Sequence, residues 1–355
     1  MALDYKKEFE ELVEIVTKES ASDLHLSSGR YPTIRVGGFL IPLMNRAVLT
    51  REDALGFMVA ILSADDKEIF LRTKEIDFSY NHKDQVRFRG NGFFQQGGVA
   101  FAFRLIPRKI RTFSELGLPP ALEAFTEKRQ GFFLVVGPVG HGKTTTLAAM
   151  VERINETRAE HIITIEDPIE YVYEQKKSII DQREVRLDTK DFSAALQGVF
   201  RQDVNVILIG EMRGIETIST AVTAAETGHL VLSTLHTNNA AQTINRIIDS
   251  FPAGQQDQIR IQLAATLTGI FSQRLIPRIS GGRVPAYELL ISNAAVSNLI
   301  REKRVHEINT VIETGVETGM IDMNRSLADL VRKGEITAES AYSFSPNPSV
   351  LERLI

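Results

Sequence analysis

Apolar residues recur at helical spacing near the start of the chain. The residues concerned are Phe9, Leu12, Val13 and Val16. Steps of three and four residues predict an amphipathic helix with one buried face. A second helical pattern covers about residues 51–72. After each of these stretches the pattern changes to period two, which is typical of half-buried strands.

Two glycine pairs interrupt the alternating segments. Gly37-Gly38 divides "DLHLSSGRYPTIRVGGFLIPL", and Gly97-Gly98 divides "QVRFRGNGFFQQGGVAFAFRLI". A glycine pair between two alternating segments predicts a β-hairpin. In the second segment, alternation places Arg89 on the polar face of one strand and Arg104 on the polar face of the next. The two arginine-bearing faces coincide if these strands pair.

The chain therefore divides into a small α/β module at 1–106, a linker at 107–120 and a larger part at 121–355. The linker carries charges and three prolines. In the larger part, the apolar runs "FFLVV", "HIITI", "NVILIG" and "HLVLSTL" alternate with helical patterns. Short apolar runs in that arrangement predict a mostly parallel sheet flanked by helices. From about residue 292 the pattern is helical to near the end of the chain.

Composition narrows the class of protein. The 355 residues carry a formal charge of −4, which disfavours nucleic acid as the main partner. There is no cysteine, so disulfides and thiolate zinc sites are excluded. No apolar run approaches the roughly 18 residues needed to span a bilayer, and we find no secretory signal. We expect a cytoplasmic protein without direct membrane insertion.

A glycine-rich loop supplies the first candidate chemistry. The run "GPVGHGKTT" follows a predicted strand, precedes a helical run and satisfies G-x-x-x-x-G-K-[ST]. Such a loop surrounds phosphate oxygens with backbone N–H groups, its lysine contacts the β- and γ-phosphates, and its hydroxyl binds Mg²⁺. ATP and Mg²⁺ are thus the predicted ligands, with Lys143 and Thr144 in those two roles. The candidate nucleotide-binding residues are Gly137, Pro138, Val139, Gly140, His141, Gly142, Lys143, Thr144 and Thr145.

Titratable residues stand at the ends of three predicted strands. Glu166 lies in "TIEDPIEY" and Glu211 in "VILIGEMR", where ligands of open α/β sheets bind. Glu211 occupies the usual place of an acid that binds the metal, directly or through water, or orients the attacking water. The pattern leaves the division of roles between the two glutamates open. His229 and His236 flank the run "LVLSTL" and are suited to sense the γ-phosphate or to bridge subunits.

These motifs, in this order, resemble the hexameric ATPases of type II secretion systems and type IV pili. Within that family the match is to the type IV pilus retraction ATPases. It runs from "SASDLHLSSG" through "GHGKTTTLAAM", "ITIEDPIEY" and "GHLVLSTLHTNNAAQT" to "FSQRLIPR". The resemblance implies a PAS-like N-terminal α/β domain, then a RecA-like P-loop ATPase domain with a helical C-terminal part. It also implies a homo-hexamer.

The resemblance further implies roles for individual residues. Arg89 and Arg104 are expected to reach ATP bound between the two domains. Glu166 and Glu211 are expected to activate water and to bind the metal. His229 and His236 match the histidine box of the family.

The function implied is an ATP-driven motor that retracts type IV pili and drives twitching motility. Its expected partners are an inner-membrane platform protein and an assembly or accessory retraction ATPase. The expected location is the inner face of the cytoplasmic membrane. Assembly ATPases of the family generally carry a tetracysteine zinc insertion, so the lack of cysteine favours retraction.

Some features leave alternatives open. The run "AVSNLIRE" at 295–302 resembles a motif linked to retraction, yet Ser297 stands where the family usually has arginine. The same run also reads as an ordinary apolar helix stripe. An accessory retraction ATPase or a related secretion-system ATPase shares nearly all these motifs. A nucleotide-gated regulator and a RecA-like helicase are the alternatives from other functional classes.

Overall fold

The computed structural model describes residues 4–83, 86–106, 109–212 and 214–355. The chain forms two compact units. The first comprises Met1–Lys109 with Pro168–Val172, and the second comprises Ile110–Asp167 with Tyr173–Ile355. Residues 107 and 108 of the predicted linker lie outside the described residues, and its Phe113–Leu116 are helical. The functional domain boundaries at 106 and 121 stay a prediction. Among the described residues no helix is long and apolar enough to cross a membrane.

The first unit packs helices against an antiparallel sheet. Its elements are α1 (Tyr5–Lys18), β1 (Asp23–Ser27), β2 (Thr33–Val36), β3 (Phe39–Pro42), α2 (Arg51–Ile61), α3 (Ala64–Thr73), β4 (Glu75–His82), β5 (Val86–Gln95) and β6 (Gly98–Ile106). The strand order is β3-β2-β1-β6-β5-β4, and neighbouring strands are antiparallel.

The predicted first helix is confirmed as α1. It begins after Asp4, whose side chain accepts a hydrogen bond from Lys7 N at 3.2 Å and satisfies a helix N-terminal donor. The stripe from Phe9 to Val16 is buried against the sheet. Phe9 contacts Phe103 of β6, with ring centroids 5.0 Å apart. The helix is thus fixed by burial of the face that the sequence marks as apolar.

Both predicted hairpins are present, and one turn lies a residue earlier than expected. Gly37 and Gly38 join β2 to β3, both with positive φ, as a two-residue hairpin turn requires. In the second hairpin, the positive φ values belong to Gln96 (46°) and Gly97 (74°). Gly98 instead begins β6, where a Cβ would lie 2.7 Å from Ser28 Oγ. Glycine at position 98 therefore allows Ser28 to pack closely and is not needed for the turn.

The predicted helix over 51–72 is two helices. The chain becomes extended at Leu62, with ψ of 145°, and Ser63 is then the N-cap of α3. The Ser63 hydroxyl accepts a hydrogen bond from Asp66 N at 3.1 Å. A serine is a good N-cap but a poor interior helix residue, which explains the break.

Pairing in the first unit confirms that the arginine-bearing faces coincide. Arg89 of β5 lies directly opposite Arg104 of β6, and Arg104 lies opposite Asp23 of β1. Residues in such a row share one face of the sheet. At the edge of the same sheet, all four residues of β3 are exposed.

The second unit is a seven-stranded sheet flanked by helices, as counted over the described residues. Its elements up to the last parallel strand are α4 (Phe113–Leu116), α5 (Glu123–Thr126), β7 (Gly131–Val136), α6 (Lys143–Thr157), β8 (His161–Glu166), β9 (Ile179–Glu184), α7 (Phe192–Val199), β10 (Val206–Ile209), α8 (Ile215–Glu226), β11 (Leu230–Leu235), α9 (Ala240–Asp249), α10 (Ala253–Thr266) and β12 (Leu267–Pro277). The remainder are β13 (Arg283–Ile291), α11 (Ala294–Arg301), α12 (Ile308–Thr314), α13 (Met323–Arg332), α14 (Ala338–Phe344) and α15 (Pro348–Leu354). Short 3₁₀ turns lie at Pro120–Leu122, Val305–Glu307 and Val316–Thr318.

The mostly parallel sheet is confirmed, in the order β13-β12-β7-β11-β10-β8-β9. The four predicted strands are its central ones, and each is almost wholly buried. Strands β9, β12 and β13 do not follow from the sequence pattern. Strand β13 runs antiparallel to β12 at one edge, while every other pairing is parallel.

The run "AVSNLIRE" lies on α11 and packs as an apolar helix stripe. Val296 and Ile300 are buried, whereas Ala295 is exposed. Ser297 donates a hydrogen bond from its hydroxyl to Ala264 O of α10 at 2.8 Å. At this position the serine serves to join two helices.

Replacement of Phe103 by alanine should destabilise the first unit by about 3–5 kcal/mol, because it empties the centre of an aromatic cluster. Its ring lies 5.0–6.2 Å from those of Phe9, Phe78, Phe88 and Phe101, centroid to centroid. Phe39→Ala is the control, since that side chain is 77% exposed. Urea unfolding of the full chain measures both. Equal midpoints for the two variants would contradict the packing.

Candidate functional site

The phosphate loop joins β7 to α6 in a conformation that needs glycine. Gly137, Gly140 and Gly142 have φ of 145°, 77° and 82°, in the region that L side chains rarely adopt. Gly142 is the N-cap of α6, and within the described part of the chain no side chain caps this helix end. The helix N-terminus, together with the loop, is therefore suited to bind an anion.

Strand β12 presses against the start of this loop. A Cβ on Gly137 would lie 2.3 Å from the backbone oxygen of Gln273. Such a distance is impossible, so the first glycine of the motif permits backbone to approach backbone. The sequence motifs alone give Gln273 no role.

Lys143 is buried at the first position of α6. Its Nζ donates to Gly137 O and Pro138 O, each at 2.9 Å, and lies 3.3 Å from His236 Nδ1. The ammonium group of Lys143 thus lies beside the first two residues of the phosphate loop. Thr144 and Thr145 are half-buried in the first turn beside it.

Glu211 and His236 follow the ends of two adjacent parallel strands, β10 and β11. Glu211 Oε2 lies 3.8 Å from His236 Nε2, and the other nitrogen of that ring faces Lys143. Thr234 fixes the end of β10 by donating from its hydroxyl to Gly210 O at 2.7 Å. The structure therefore brings together Lys143, Glu211 and His236, which the sequence places far apart.

Glu166 ends β8, the strand on the other side of β10. It is buried, and its Oε1 accepts from Thr164 Oγ1 at 2.7 Å and from Gln182 Nε2 at 3.3 Å. Gly210 passes close by, since a Cβ there would lie 3.3 Å from the backbone oxygen of Ile165, closer than most side-chain carbons come. Glycine at this position therefore suits the close approach of the two strand ends. Both predicted glutamates thus lie at the carboxyl edge of the sheet.

His229 is not part of this group. It precedes β11, whereas His236 follows it, so a six-residue strand of about 20 Å separates them. Its Nδ1 lies 2.9 Å from Ala224 O, and its ring contacts Phe200 edge to face. Its role in catalysis stays a prediction.

Arg89 and Arg104 belong to the first unit. Arg104 Nε donates to Asp23 Oδ1 at 3.1 Å, and Arg89 Nη1 lies 3.7 Å from Glu170 Oε1 of the segment Pro168–Val172. Each of these guanidinium groups therefore has a carboxylate partner. The role of both arginines toward ATP stays a prediction.

Burial changes the proton affinity of two groups near the site. Burial is the main cause that lowers the pKa of His141, and Arg274 and Arg283 lower it further. The neutral ring can then accept, at Nδ1, the hydrogen bond that Leu275 N donates at 2.9 Å. Burial raises the pKa of Glu288 to about 7.

Glu288 caps the helix that follows the His236 segment. Its Oε1 accepts from Ala240 N, the first residue of α9, at 2.8 Å. No motif marks this glutamate. Its signal in the sequence is only a charge within the apolar alternation "VPAYELLI".

The chain is similar to known proteins over nearly its whole length. The family model for type II/IV secretion system proteins matches residues 6–284. The type IV pilus retraction ATPase PilT of Pseudomonas aeruginosa is 45% identical over 331 residues, which covers 93% of this chain and 96% of that protein. The type IV pilus ATPase PilU of the same species is 37% identical over 98% of this chain and 91% of its own. A crystal structure of the pilus retraction motor PilT with bound ADP superposes with a TM-score of 0.91 at 45% identity, over 97% of this chain and 98% of that one.

Glu288 should make the free energy of unfolding fall as pH rises from about 4.5 to 7. Its folded pKa is about 7 against an ordinary 4.5, so in that window the folded chain retains a proton that the unfolded chain has lost. The loss amounts to about 3 kcal/mol and is complete above pH 7. Glu288→Gln keeps the acceptor for Ala240 N and should remove this part of the pH dependence.

Urea unfolding at several pH values between 5 and 7.5 measures the effect. Glu339→Gln, an exposed substitution on α14, is the control and should retain the wild-type dependence. Parallel pH curves for Glu288→Gln and the wild type would refute a buried, protonated Glu288.

Proposed function

Because this chain belongs to the type II/IV secretion system protein family, we propose that it is an ATP-driven motor that retracts type IV pili and drives twitching motility. The observation that carries the proposal is that the likeness to the retraction ATPase spans both units. The chain is an ATPase of this family, and its phosphate loop supplies the nucleotide site. We further propose that six copies form a ring that acts on an inner-membrane platform protein, at the inner face of the cytoplasmic membrane.

The described residues support a division of the chemistry. The loop N–H groups and Lys143 bind the phosphates of ATP and offset their charge. The Thr144 hydroxyl and the Glu211 carboxylate are oxygen ligands of the kind that Mg²⁺ prefers, so these two residues would hold the ion, which would offset the negative charge of the phosphates. Glu166 ends β8 and Glu211 follows the adjacent strand β10, and we propose that together they orient the attacking water. His236 lies between Lys143 and Glu211, where it senses the γ-phosphate.

Coupling of hydrolysis to movement is assigned to Arg89 and Arg104. Both are cations on one face of the first unit, directly opposite each other. We propose that they act on ATP bound by a second unit, so that turnover depends on where the first unit lies. A positive group that completes a phosphoryl-transfer site contributes about 10³–10⁵ in rate.

ATP turnover by the purified full chain, resolved by mass, tests the motor proposal. Turnover should be confined to the hexamer, and Lys143→Ala should lower it roughly 100-fold or more, because a positive donor to the phosphates is lost. Lys190→Ala, at an exposed position, should behave as wild type. Equal turnover by monomers would mean that each chain completes its own site. Nucleotide binding without turnover would favour a gated regulator, and turnover stimulated by DNA would favour a helicase.

The same variants decide between the pilus functions. A deletion strain carrying the wild-type chain should regain twitching, and one carrying Lys143→Ala should not. The PilU likeness makes an accessory retraction ATPase the second candidate. In that case, a strain without this chain would retain part of its twitching motility. Removal of a second ATPase would then be needed to abolish it.

Arg89→Ala and Arg104→Ala should each lower hexamer turnover by about 10³-fold while ATP binding persists. Arg35→Ala is the matched control. It carries the same charge in the same row of the sheet, opposite Asp23. Turnover is measured on variants whose ring assembly is intact by mass. Wild-type rates in both arginine variants would remove them from the mechanism.

A further inference from the structure

Strand β12 presents two consecutive side chains to two different loops. Successive side chains of a strand point to opposite faces. Ser272 donates from its hydroxyl to Asn238 O at 2.7 Å, in the segment that follows His236. Gln273 points the other way, into the phosphate loop and α6. One strand therefore contacts both loops of the site.

The Gln273 side chain uses both of its polar atoms on the nucleotide site. Its Oε1 accepts from Thr146 Oγ1 at 2.6 Å, and its Nε2 donates to His141 O at 2.9 Å. Gln273 is only 3% exposed, so water cannot replace either bond. Its carboxamide thus joins the loop to the first turn of the helix.

The bond to His141 O has a directional consequence. In a trans peptide the C=O and the following N–H point in opposite directions. Because the His141 carbonyl is directed at Gln273, the N–H of Gly142 is directed away from β12. That N–H is one of the donors that the phosphate-loop motif uses to surround phosphate oxygens.

Further contacts between β12 and the phosphate loop hold the loop in place. Leu275 N donates to His141 Nδ1, and the Gln273 backbone oxygen leaves no room for a side chain at Gly137. The strand itself is held between β7 and β13, so its position does not depend on the loop.

We propose that Gln273 is a positioning residue for ATP, which orients the phosphate loop before the nucleotide arrives. The inference rests on the proposed ATPase function and adds to it a residue to which the motif "FSQRLIPR" assigns no role. Gln273 does not touch the phosphates. It holds the His141–Gly142 peptide and Thr146 in the arrangement that the phosphates require, so that binding does not have to order them.

Gln273→Met removes both side-chain bonds at nearly constant volume. The dissociation constant for a non-hydrolysable ATP analogue should rise about tenfold, because His141 O and Thr146 Oγ1 lose a buried partner. The KM for ATP should rise by a similar factor while kcat stays within about twofold, as expected when binding and not the chemical step is affected. Thr146→Val removes one of the two bonds and should raise the dissociation constant about threefold.

Gln256→Met is the matched control, because Gln256 also donates to a backbone oxygen, that of Phe251 at 3.1 Å, but lies outside the site. It should bind the analogue as wild type does. A lower melting temperature of Gln273→Met with unchanged affinity and KM would overturn the proposal and leave Gln273 a structural residue. The Thr146→Val result decides the matter if Gln273→Met does not fold. Failure of the wild-type chain to bind ATP would instead defeat the proposed function itself.

Discussion

Parallel pairing of four buried strands is the constraint on which the second unit depends. In the register of β7, β11, β10 and β8, the strands end together at one edge of the sheet. Each strand carries one part of the candidate site where it ends: the phosphate loop, His236, Glu211 and Glu166 in turn. Small residues and hydroxyls then set the spacing, since Gly210 lets two ends approach and Thr234 fixes one to the next.

The first unit uses antiparallel pairing for a different purpose. Its apolar face buries an aromatic cluster that holds α1, and its other face is left to charges. Antiparallel register places Asp23, Arg104 and Arg89 in one row across three strands. The same hydrogen bonds that make the sheet therefore determine which charges face each other.

The sequence was sufficient wherever the signal is local. The glycine loop, the four central strands, the buried stripe of α1 and the coincidence of the two arginine faces all follow from spacing within short segments. The helix break at Ser63 and the turn at Gln96 could not be predicted from hydrophobic periodicity, because each depends on a cap or a packing contact. The contacts of Gln273 could not be predicted from local patterns at all, since its partner His141 lies 132 positions away. Strand β12 also lacks the continuous apolar run of the central strands, because Ser272, Gln273 and Arg274 interrupt it.

The first unit places two arginines directly opposite each other on one face of its sheet. Like charges at directly opposite positions of neighbouring strands repel each other and weaken the sheet. Asp23 and Glu170 relieve that repulsion, although Asp23 is shared, since its carboxylate also lies 3.8 Å from Arg35 Nε, and Arg104 remains largely exposed. Arg89 lies opposite Arg104 and takes its carboxylate partner from outside the sheet, from Glu170. The charge balance of this face therefore depends on Pro168–Val172, a segment far from the sheet in the sequence.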